Sequence, residues 1–345
     1  MKTNFKYLFK IYVALLIALI ILTECKKSKD CGTSPTATTN SASFITQSGA
    51  TINGKVNAYG KRTSVSFEVG ETETYGRTIY ISDQLFGIQP QDVHALLTGL
   101  SSGTTYHYRV NAAGLCQVTY GRDYLFATLK KGESGIVFNP DLIYNTVTDN
   151  SGNTYKTIQI GTQMWMAENL KTSRFNDGTV IPLVTDNSAW ANLTTSAYCW
   201  YNNDSNSYKP SIGGLYNWPA VNSSKLCPKG WHVPSETEWT NLAIYLGGEN
   251  IAGGELKGTG TILWLSPNSS ATNKSGFTAL PGGERYGTFA YNVRFDNIGI
   301  DGYWWSSTES STTEAWERYI YYKDGGLIKL SNDKRTGNSV RCLKD

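Results

Sequence analysis

The three histidines carry the side chains best suited to acid–base or metal chemistry, and their positions favour neither. His94 and His107 lie in the first third of the chain, and His232 is far from both. No two of them have the spacing of zinc ligands, and the chain contains no Cys-x-x-Cys motif. His232 stands between Trp231 and Val233 just before a predicted helix. We therefore expect it to be a packed structural residue rather than the base of a hydrolytic site.

The acidic residues form no recognisable catalytic pair either. Glu236 and Glu238 both fall on the first turn of the predicted helix, and at a separation of two they do not share a helix face. Helix capping and compensation of the helix dipole account for both. The polar segments 149–153 and 202–206 contain one Asp each, which favours Asx turns over a calcium site that needs several carboxylates. We therefore expect no catalytic residue, metal or cofactor.

The first 24 residues have the pattern of an export signal. Lys2, Lys6 and Lys10 accompany an apolar run at 11–22, which is short for a membrane span and typical of a signal segment. An uncleaved membrane anchor is the alternative. The run ends in Leu-Thr-Glu-Cys, which resembles the bacterial lipoprotein signal. The resemblance implies that Cys25 is acylated and that acyl chains hold the protein to a membrane.

The six cysteines are Cys25, Cys31, Cys116, Cys199, Cys227 and Cys342. In an exported protein cysteines can form disulfides, and lipidation of Cys25 would leave five, so that one stays free. Cys31 and Cys116 either close the first domain as a disulfide or remain two unpaired thiols. Cys199 lies between two aromatic residues and is expected to be a buried free thiol.

Length and charge indicate a two-domain exported protein without affinity for nucleic acid. A chain of 345 residues is too long for one ordinary domain. With 22 Tyr, 10 Trp and only 17% charged residues, it can bury ample apolar surface in β-rich elements. Three of the 31 basic and one of the 28 acidic residues lie within 1–24. The mature chain therefore carries 28 basic and 27 acidic residues, and it has no basic stripe.

Short alternating runs separated by Gly turns predict an antiparallel β-sandwich at residues 41–129. A polar tether at 25–40 precedes it, and a linker at 130–144 follows it. Residues 100–106, Leu-Ser-Ser-Gly-Thr-Thr-Tyr, resemble the turn that carries the tyrosine corner of fibronectin type III domains. The resemblance implies a structural role for Tyr106 and no chemistry.

One amphipathic helix is predicted in the second domain, at residues 145–345. Ser235 is its expected N-cap, and Glu238 completes a capping box. One face of the helix is apolar and consists of Trp239, Leu242, Ala243 and Leu246. Two glycines, at 247 and 248, end the helix.

Six motifs follow each other in order through residues 145–345: NTYKTIQIG, WMAENL, GLYNW, CPKGWHVPS, YWWSSTE and SVRC. Together they resemble the Fibrobacter succinogenes major paralogous domain, a family similar to the C-type-lectin-like superfold. The resemblance implies a multidomain chain, with an all-β fibronectin type III-like sandwich followed by an α+β C-type-lectin-like domain. A fold of this kind hosts many functions and does not define one.

The same superfold includes formylglycine-generating enzymes, which residues 234–239 resemble. Those enzymes use two nearby reactive cysteines late in the chain, whereas Cys342 stands alone near this C-terminus. Because the chain termini of a lectin-like domain come together, the resemblance implies that Cys227 and Cys342 form a structural disulfide. An enzyme of that class is an alternative function, and a purely structural envelope protein is another.

The candidate binding surface follows the YWWSSTE motif, where aromatic rings alternate with hydroxyl groups. Rings of this kind offer a large contact area with few rotatable bonds. The tryptophans here, Trp304, Trp305 and Trp316, individually favour the core, because Trp is usually buried. The candidate set comprises Ser307, Thr308, Glu309, Ser310, Trp316, Tyr319 and Tyr321.

The sequence therefore predicts a non-enzymatic protein of the cell envelope that binds a protein or a glycan. Its membrane contact is the lipid anchor, with the outer membrane as the expected location. The residues after Cys25 are basic, and they leave open whether the protein faces the periplasm or the outside.

Overall fold

The computed structural model of the chain describes residues 32–287 and 293–345, apart from the side chains of Ser82 and Asp83. The expected signal segment lies outside the described residues, as do Cys25 and Cys31. Among the residues that are described, no helix is both long enough and apolar enough to cross a membrane.

The first part of the chain is an antiparallel sandwich of short strands. They are β1 (Thr36–Ser43), β2 (Ala50–Asn57), β3 (Thr63–Gly70), β4 (Arg77–Leu85), β5 (Gln91–Leu97), β6 (Thr105–Ala113), β7 (Val118–Tyr120) and β8 (Tyr124–Ala127). One sheet has the order β1-β2-β5, and the other has the order β4-β3-β6-β7, with β8 also pairing with β6. These two sheets confirm the predicted all-β sandwich.

Alternation along the strands builds the core of the sandwich. In β3 every second residue is buried, and the inward side chains are Val65, Phe67 and Val69. The hydroxyl of Tyr106 accepts a hydrogen bond from the Ser101 N–H at 3.0 Å. This bond back to the preceding turn is the tyrosine-corner contact that the sequence predicted.

The first strand begins inside the segment that was expected to be a tether. Residues 36–40 belong to β1. Thr39 is buried, and its hydroxyl accepts a hydrogen bond from the Val110 N–H at 3.2 Å. β-Branched threonines fit a pleated, half-buried strand, so a polar composition at the start of the domain concealed a structural element.

The predicted linker at 130–144 contains no helix or strand, but it is packed rather than loose. Its Phe138 and Tyr144 rings meet edge to face, with centroids 5.3 Å apart. The Lys156 ammonium lies 4.0 Å from the Phe138 ring centroid, and the Asn139 amide donates to the Asn273 carbonyl at 3.0 Å. The segment is thus a fixed connection on the surface of the second domain.

The second domain combines short strands with short helices. Its strands are β9 (Asn145–Thr148), β10 (Thr154–Ile160), β11 (Gln163–Met166), β12 (Tyr198–Cys199), β13 (Leu215–Tyr216), β14 (Trp231–His232), β15 (Glu284–Arg285), β16 (Phe295–Asp296), β17 (Asp301–Glu309), β18 (Glu314–Tyr321), β19 (Ile328–Asp333) and β20 (Leu343–Lys344). Its helices are α1 (Asn187–Ala191), α2 (Ser205–Tyr208), α3 (Trp218–Val221), α4 (Glu236–Tyr245) and α5 (Glu249–Leu256), with a 3₁₀ turn at Tyr201–Asn203.

The two ends of this domain meet in one sheet of order β14-β20-β11-β10-β9. The last strand lies between β14 and β11, so the chain returns to where the domain began. Cys227, just before β14, forms a disulfide with Cys342, just before β20, with Cα atoms 5.9 Å apart. The expected pairing is therefore confirmed.

Helix α4 confirms the predicted helix, and α5 was missed. Ser235 caps α4, and a complete capping box with Glu238 is present. Helix α5 follows almost at once, although its sequence contains two glycines that weaken any helix prediction. Gly253 is required by packing, because a Cβ there would lie 2.0 Å from the Gly326 carbonyl oxygen.

The sandwich contacts the second domain directly. The loop after β1 pairs with residues 261–262, where the Ile45 N–H donates to the Ile262 carbonyl at 2.5 Å. The Phe44 ring stacks on Tyr208 at a centroid distance of 6.1 Å. The sandwich is therefore held against the second domain by both backbone and ring contacts.

Candidate functional site

One face of the sheet with order β17-β18-β19 collects aromatic and polar side chains. The register pairs Tyr303 with Tyr319 and Trp305 with Glu317, and Leu330 lies opposite Glu317 on the other side. Cross-strand partners point to the same face of a sheet, so these five side chains lie together. The opposite face packs against α4 and α5 through an apolar cluster.

A cavity of about 420 Å³ opens over this face, and we call it the acidic cleft. The sheet forms its floor, β15 forms one wall, and the turn after β19 forms another. Its described lining is rich in carboxylate, amide and hydroxyl groups and contains no Lys or Arg; it consists of Glu284, Tyr286, Gly287, Tyr303, Glu314, Glu317, Leu330, Ser331, Asn332, Asp333 and Thr336.

Asn332 bridges the two buried carboxyl groups of the cleft. Its side-chain amide donates to Glu284 Oε2 at 3.2 Å and to Glu317 Oε1 and Oε2 at 3.5 and 3.4 Å. The Asn338 amide also donates to Glu317 Oε2. Glu284 and Glu317 are only 2% and 1% exposed. Two carboxyl groups held by one amide repel each other when both are ionised.

Burial raises the pKa of both carboxyl groups. Desolvation raises the pKa of Glu317 to about 8, and the nearby charge of Glu284 adds to the rise. Desolvation also raises the pKa of Glu284 to about 7, against the hydrogen bonds from Asn332 and Tyr286. The pair therefore retains a proton at neutral pH, and it can both donate and accept hydrogen bonds in the cleft.

The raised pKa of Glu317 predicts a pH-dependent stability. Its carboxyl group titrates at about 8 in the folded chain, against an ordinary value of 4.5. Between these values the folded state holds a proton that the unfolded state has lost, so the free energy of unfolding falls as the pH rises. Glu317 alone should lower it by about 3 kcal/mol between pH 5 and pH 7.

Urea denaturation of the wild type and of Glu317→Gln at the two pH values measures this difference. Gln is neutral and can accept the same amide hydrogen bonds, so the variant should lose the part of the slope that Glu317 contributes, while Glu284, whose pKa is also raised, keeps its own part. An equal slope in both proteins would place the titrating group elsewhere.

Four residues of the predicted binding surface, at the end of β17 and just after it, lie beyond this cleft. The Glu309 carboxylate pairs with Lys334 Nζ at 2.9 Å. The Thr308 hydroxyl accepts a hydrogen bond from the Glu236 N–H at 3.1 Å, at the first turn of α4. Ser307, in β17, and Ser310, just after it, are half-buried. These four residues therefore border the helix N-terminus and the end of β17.

The three aromatic residues of the predicted surface are divided between the two faces of the sheet. Tyr319 stacks on Tyr303 at a centroid distance of 5.1 Å beside the acidic cleft, and Tyr321 follows it on the same face. Trp316 lies on the opposite face, half-buried, with Lys329 Nζ 3.9 Å from its ring centroid. Trp316 is thus not a core residue, unlike Trp304 and Trp305, which are fully buried.

His232 is a surface group held by two carboxylates, whereas the sequence predicted a packed residue. Its Nδ1 lies 2.7 Å from Asp345 and its Nε2 lies 3.0 Å from Glu238, with 40% of the side chain exposed. Burial lowers the pKa of His232, but the hydrogen bonds to Asp345 and Glu238 outweigh that effect and raise it overall. Carboxylates lie against both ring nitrogens, and burial of the ring would remove these charges from water, so the ring stays at the surface.

The two polar segments, at residues 149–153 and 202–206, form turns, as predicted. Asp149 Oδ1 accepts from the N–H groups of Ser151 and Asn153 at 2.8 and 2.9 Å, and its Oδ2 accepts from Tyr155 Oη at 2.6 Å. Asp204 accepts from two N–H groups as the N-cap of α2. Both carboxylates are therefore engaged by the local backbone.

The free cysteine is also where it was predicted. Cys199 is buried and unpaired, and burial raises its pKa to about 12. Cys116 is bonded in a disulfide, while Cys31, its expected partner, lies outside the described residues.

Sequence reasoning missed the residues that define the cleft, chiefly Glu284, Glu317 and Asn332. One signal was available. In β18, Ala315 and Glu317 are two residues apart and are both buried on one face, so a glutamate occurs at a buried position of this strand. A buried carboxylate of this kind is rare without a partner and marks a site.

A second depression lies beside the acidic cleft and has a more apolar lining, with a volume of about 580 Å³. Its charged groups are Asp333, Lys334 and Arg335. Arg335 pairs with Asp333 at 2.7 Å, and Lys334 pairs with Glu309. Because these charges are engaged with each other at the rim, the acidic cleft is the stronger candidate site.

Two solved structures are similar to parts of the chain. One is the sensor domain of the anti-sigma factor RsgI4 in Pseudobacteroides cellulosolvens, and the other is a fibronectin type III domain derived from the human KIAA0970 protein. The first is 24% identical, covers 28% of this chain and 97% of its own, and has a TM-score of 0.23. The second is 14% identical, covers 27% of this chain and 73% of its own, and has a TM-score of 0.20.

No curated protein matches the chain. The sequence model of the Fibrobacter succinogenes major domain matches residues 158–344, which is more than half of the chain. The chain therefore belongs to the Fibrobacter succinogenes major domain family.

Proposed function

We propose that the chain is a non-catalytic binding protein of the bacterial cell envelope and that its ligand binds in the acidic cleft. The observation that carries the proposal is the burial of Glu317 at the floor and of Glu284 at the wall of an open cavity of about 420 Å³. Ligand sites are typically concavities of this size with a few convergent polar groups. Buried carboxyl groups with raised pKa values in such a cavity are typical of functional sites.

A glycan is the ligand that suits this lining best. A carboxyl pair that shares protons can both accept from and donate to sugar hydroxyls. Tyr286 and Tyr303 add rings whose faces can pack against the apolar side of a sugar. The lining carries no Lys or Arg among its described residues, which argues against an anionic ligand.

A glycan array probed with the purified chain tests this function. We expect at least one glycan to bind, and we expect Glu317→Gln and Tyr286→Ala to weaken it at least tenfold, roughly 1.4 kcal/mol of binding free energy. Glu309→Gln, outside the cleft, is the matched control and should bind as the wild type does.

The variants also separate the competing explanations. Loss of binding in Glu309→Gln alone would move the site to the loop after β17. A chain that binds no glycan but captures a defined envelope protein in a pull-down would make the ligand a protein and would contradict the glycan proposal.

The state of the cysteines supports binding over catalysis. Cys342 is bonded to Cys227, and Cys199 is a buried thiol whose pKa is raised to about 12. A reactive cysteine requires access and a lowered pKa. The chain thus lacks, among its described residues, the paired free thiols on which the resemblance to formylglycine-generating enzymes depended.

We also infer that the second domain has the C-type-lectin-like architecture that the motifs implied. Its first strands, β10 and β11, pair with its last strand, β20, in one sheet. The sandwich would then act as a spacer. Its contacts through Phe44 and Ile45 favour a fixed orientation of the binding domain relative to the membrane.

Acylation of Cys25 is proposed as the means of attachment. Cys25→Ala should move the protein from the membrane fraction to the aqueous fraction, because the acyl chains supply the membrane affinity. Fractionation and immunoblotting measure this, with globomycin treatment of the wild type as a second test. Unchanged membrane retention of the variant would indicate an uncleaved anchor at residues 11–22.

A further inference from the structure

One group of side chains on the sandwich has the composition of a metal site. Among the residues that the structure describes, Glu73, His107 and Asp123 place one ligand atom each within 4.8 Å of the other two. They come from three different segments: the turn between β3 and β4, strand β6, and the turn between β7 and β8. We propose that these residues bind a divalent transition metal, with Zn²⁺ as the best match, independently of the acidic cleft.

The distances are close to those that zinc requires. His107 Nδ1 lies 2.8 Å from Asp123 Oδ2. In a tetrahedral site with zinc–nitrogen and zinc–oxygen distances of about 2.0–2.2 Å, neighbouring ligand atoms lie about 3.3 Å apart. The pair therefore needs to open by only about half an ångström, and Glu73 needs to close from within 4.8 Å.

The arrangement differs from the other histidine that contacts two carboxylates. At His232 the carboxylates of Asp345 and Glu238 lie against opposite ring nitrogens, so one ion cannot reach all three groups. At His107 one ring nitrogen and one oxygen of each carboxylate all lie within 4.8 Å of one another. Only the second geometry allows one ion to bind all three ligands.

The positions of two ligands are fixed by a neighbouring tyrosine. The Tyr75 hydroxyl donates to Asp123 Oδ1 at 3.0 Å, which leaves Oδ2 directed at His107. The turn that carries Glu73 is folded tightly over Gly70, where a Cβ would lie 1.4 Å from the Tyr75 carbonyl oxygen. An outer contact that orients a ligating carboxylate is a common feature of metal sites.

The charge balance also suits a divalent cation. The nearby guanidinium of Arg109 pairs with Glu68 at 2.6 Å and lies over the Tyr75 ring. Two carboxylates and one neutral imidazole match the charge of Zn²⁺. A set of three protein ligands leaves a coordination position open for water or for a side chain of a partner.

Titration of the purified chain with Zn²⁺, followed by calorimetry, tests the proposal. We expect one ion per chain, and we expect His107→Gln to weaken binding at least tenfold. His94→Gln removes an exposed histidine from the opposite sheet and is the matched control, which should bind as the wild type does. Co²⁺ in place of Zn²⁺ should give the visible absorption of a tetrahedral site, and the His107 variant should lack it.

Glu73→Gln keeps the test decisive if the His107 variant fails to fold, because Glu73 is exposed on a turn. It should also weaken Zn²⁺ binding. The absence of Zn²⁺ binding by the folded wild type would overturn the proposal, as would stoichiometric binding that survives both substitutions. Neither result would affect the glycan experiment, since the two sites share no residue.

Discussion

Replacement of both Cys227 and Cys342 by Ala is expected to lower the free energy of unfolding by about 5 kcal/mol. The disulfide joins residues 115 positions apart, and in the chain-entropy model a loop of that length stabilises the folded state by about this amount. Single domains are typically stable by about 5–15 kcal/mol, so the variant should lie close to the limit of folding.

Denaturation in urea under oxidising conditions measures the loss. The wild type treated with reductant loses this cross-link without a change of sequence, and it also loses the disulfide of Cys116. Its drop in the free energy of unfolding should therefore be at least as large as that of the variant. A difference below about 1 kcal/mol between the variant and the oxidised wild type would contradict the stabilising role assigned to the bridge.

Arg341→Met is expected to destabilise the second domain by about 4 kcal/mol. The guanidinium is completely buried and donates to Asn169 Oδ1 at 2.7 Å. It also donates to the carbonyls of Met166, Phe277 and Thr278 at 3.0, 2.6 and 2.7 Å. Met fills part of the volume but removes the guanidinium donor from these acceptors, and each buried group left unsatisfied costs about 1–3 kcal/mol.

Two further variants separate this effect from a general loss of charge. Arg341→Lys keeps the charge, but an ammonium cannot reproduce the planar fork, so most of the loss should remain. Arg62→Met removes an exposed arginine of the sandwich and should change stability by less than about 0.5 kcal/mol. Equal stability of wild type and Arg341→Met would mean that the buried network contributes nothing.

Asn169 extends this network and joins three of the sequence motifs of the domain. Its Oδ1 also accepts from Trp304 Nε1 at 2.9 Å, and its Nδ2 donates to the Ile212 carbonyl at 2.8 Å and to Ser339 Oγ at 3.1 Å. The WMAENL, YWWSSTE and SVRC motifs therefore meet at one buried amide. Their function in the fold is to satisfy each other's polar groups.

The elements that local chemistry dictates were predictable from the sequence. Alternation in β3, the Ser235 capping box and the Tyr106 corner each depend on residues within a few positions of one another. The disulfide was predictable only because a family resemblance implied that the termini meet. Helix α5 was not predictable. It contains a glycine that weakens a helix but is required there by the close approach of Gly326.

The acidic cleft could not be predicted, for a physical reason. Glu317 and Asn332 lie in the consecutive strands β18 and β19, but Glu284 lies in β15, and only the tertiary fold brings β15 to the other two. In the sequence, Glu317 is one charged residue among several in this strand. Its burial is a property of β15 and the turn after β19, which cover it.

The most direct test of the account is a carboxyl-carbon NMR titration of the chain labelled at glutamate. Two resonances should titrate near pH 7 and pH 8, and they should disappear in Glu284→Gln and Glu317→Gln respectively. Both should shift when the glycan selected on the array is added. If every glutamate has a pKa near 4.5, its ordinary value, or if the bound glycan leaves both resonances unmoved, the acidic cleft is not the binding site.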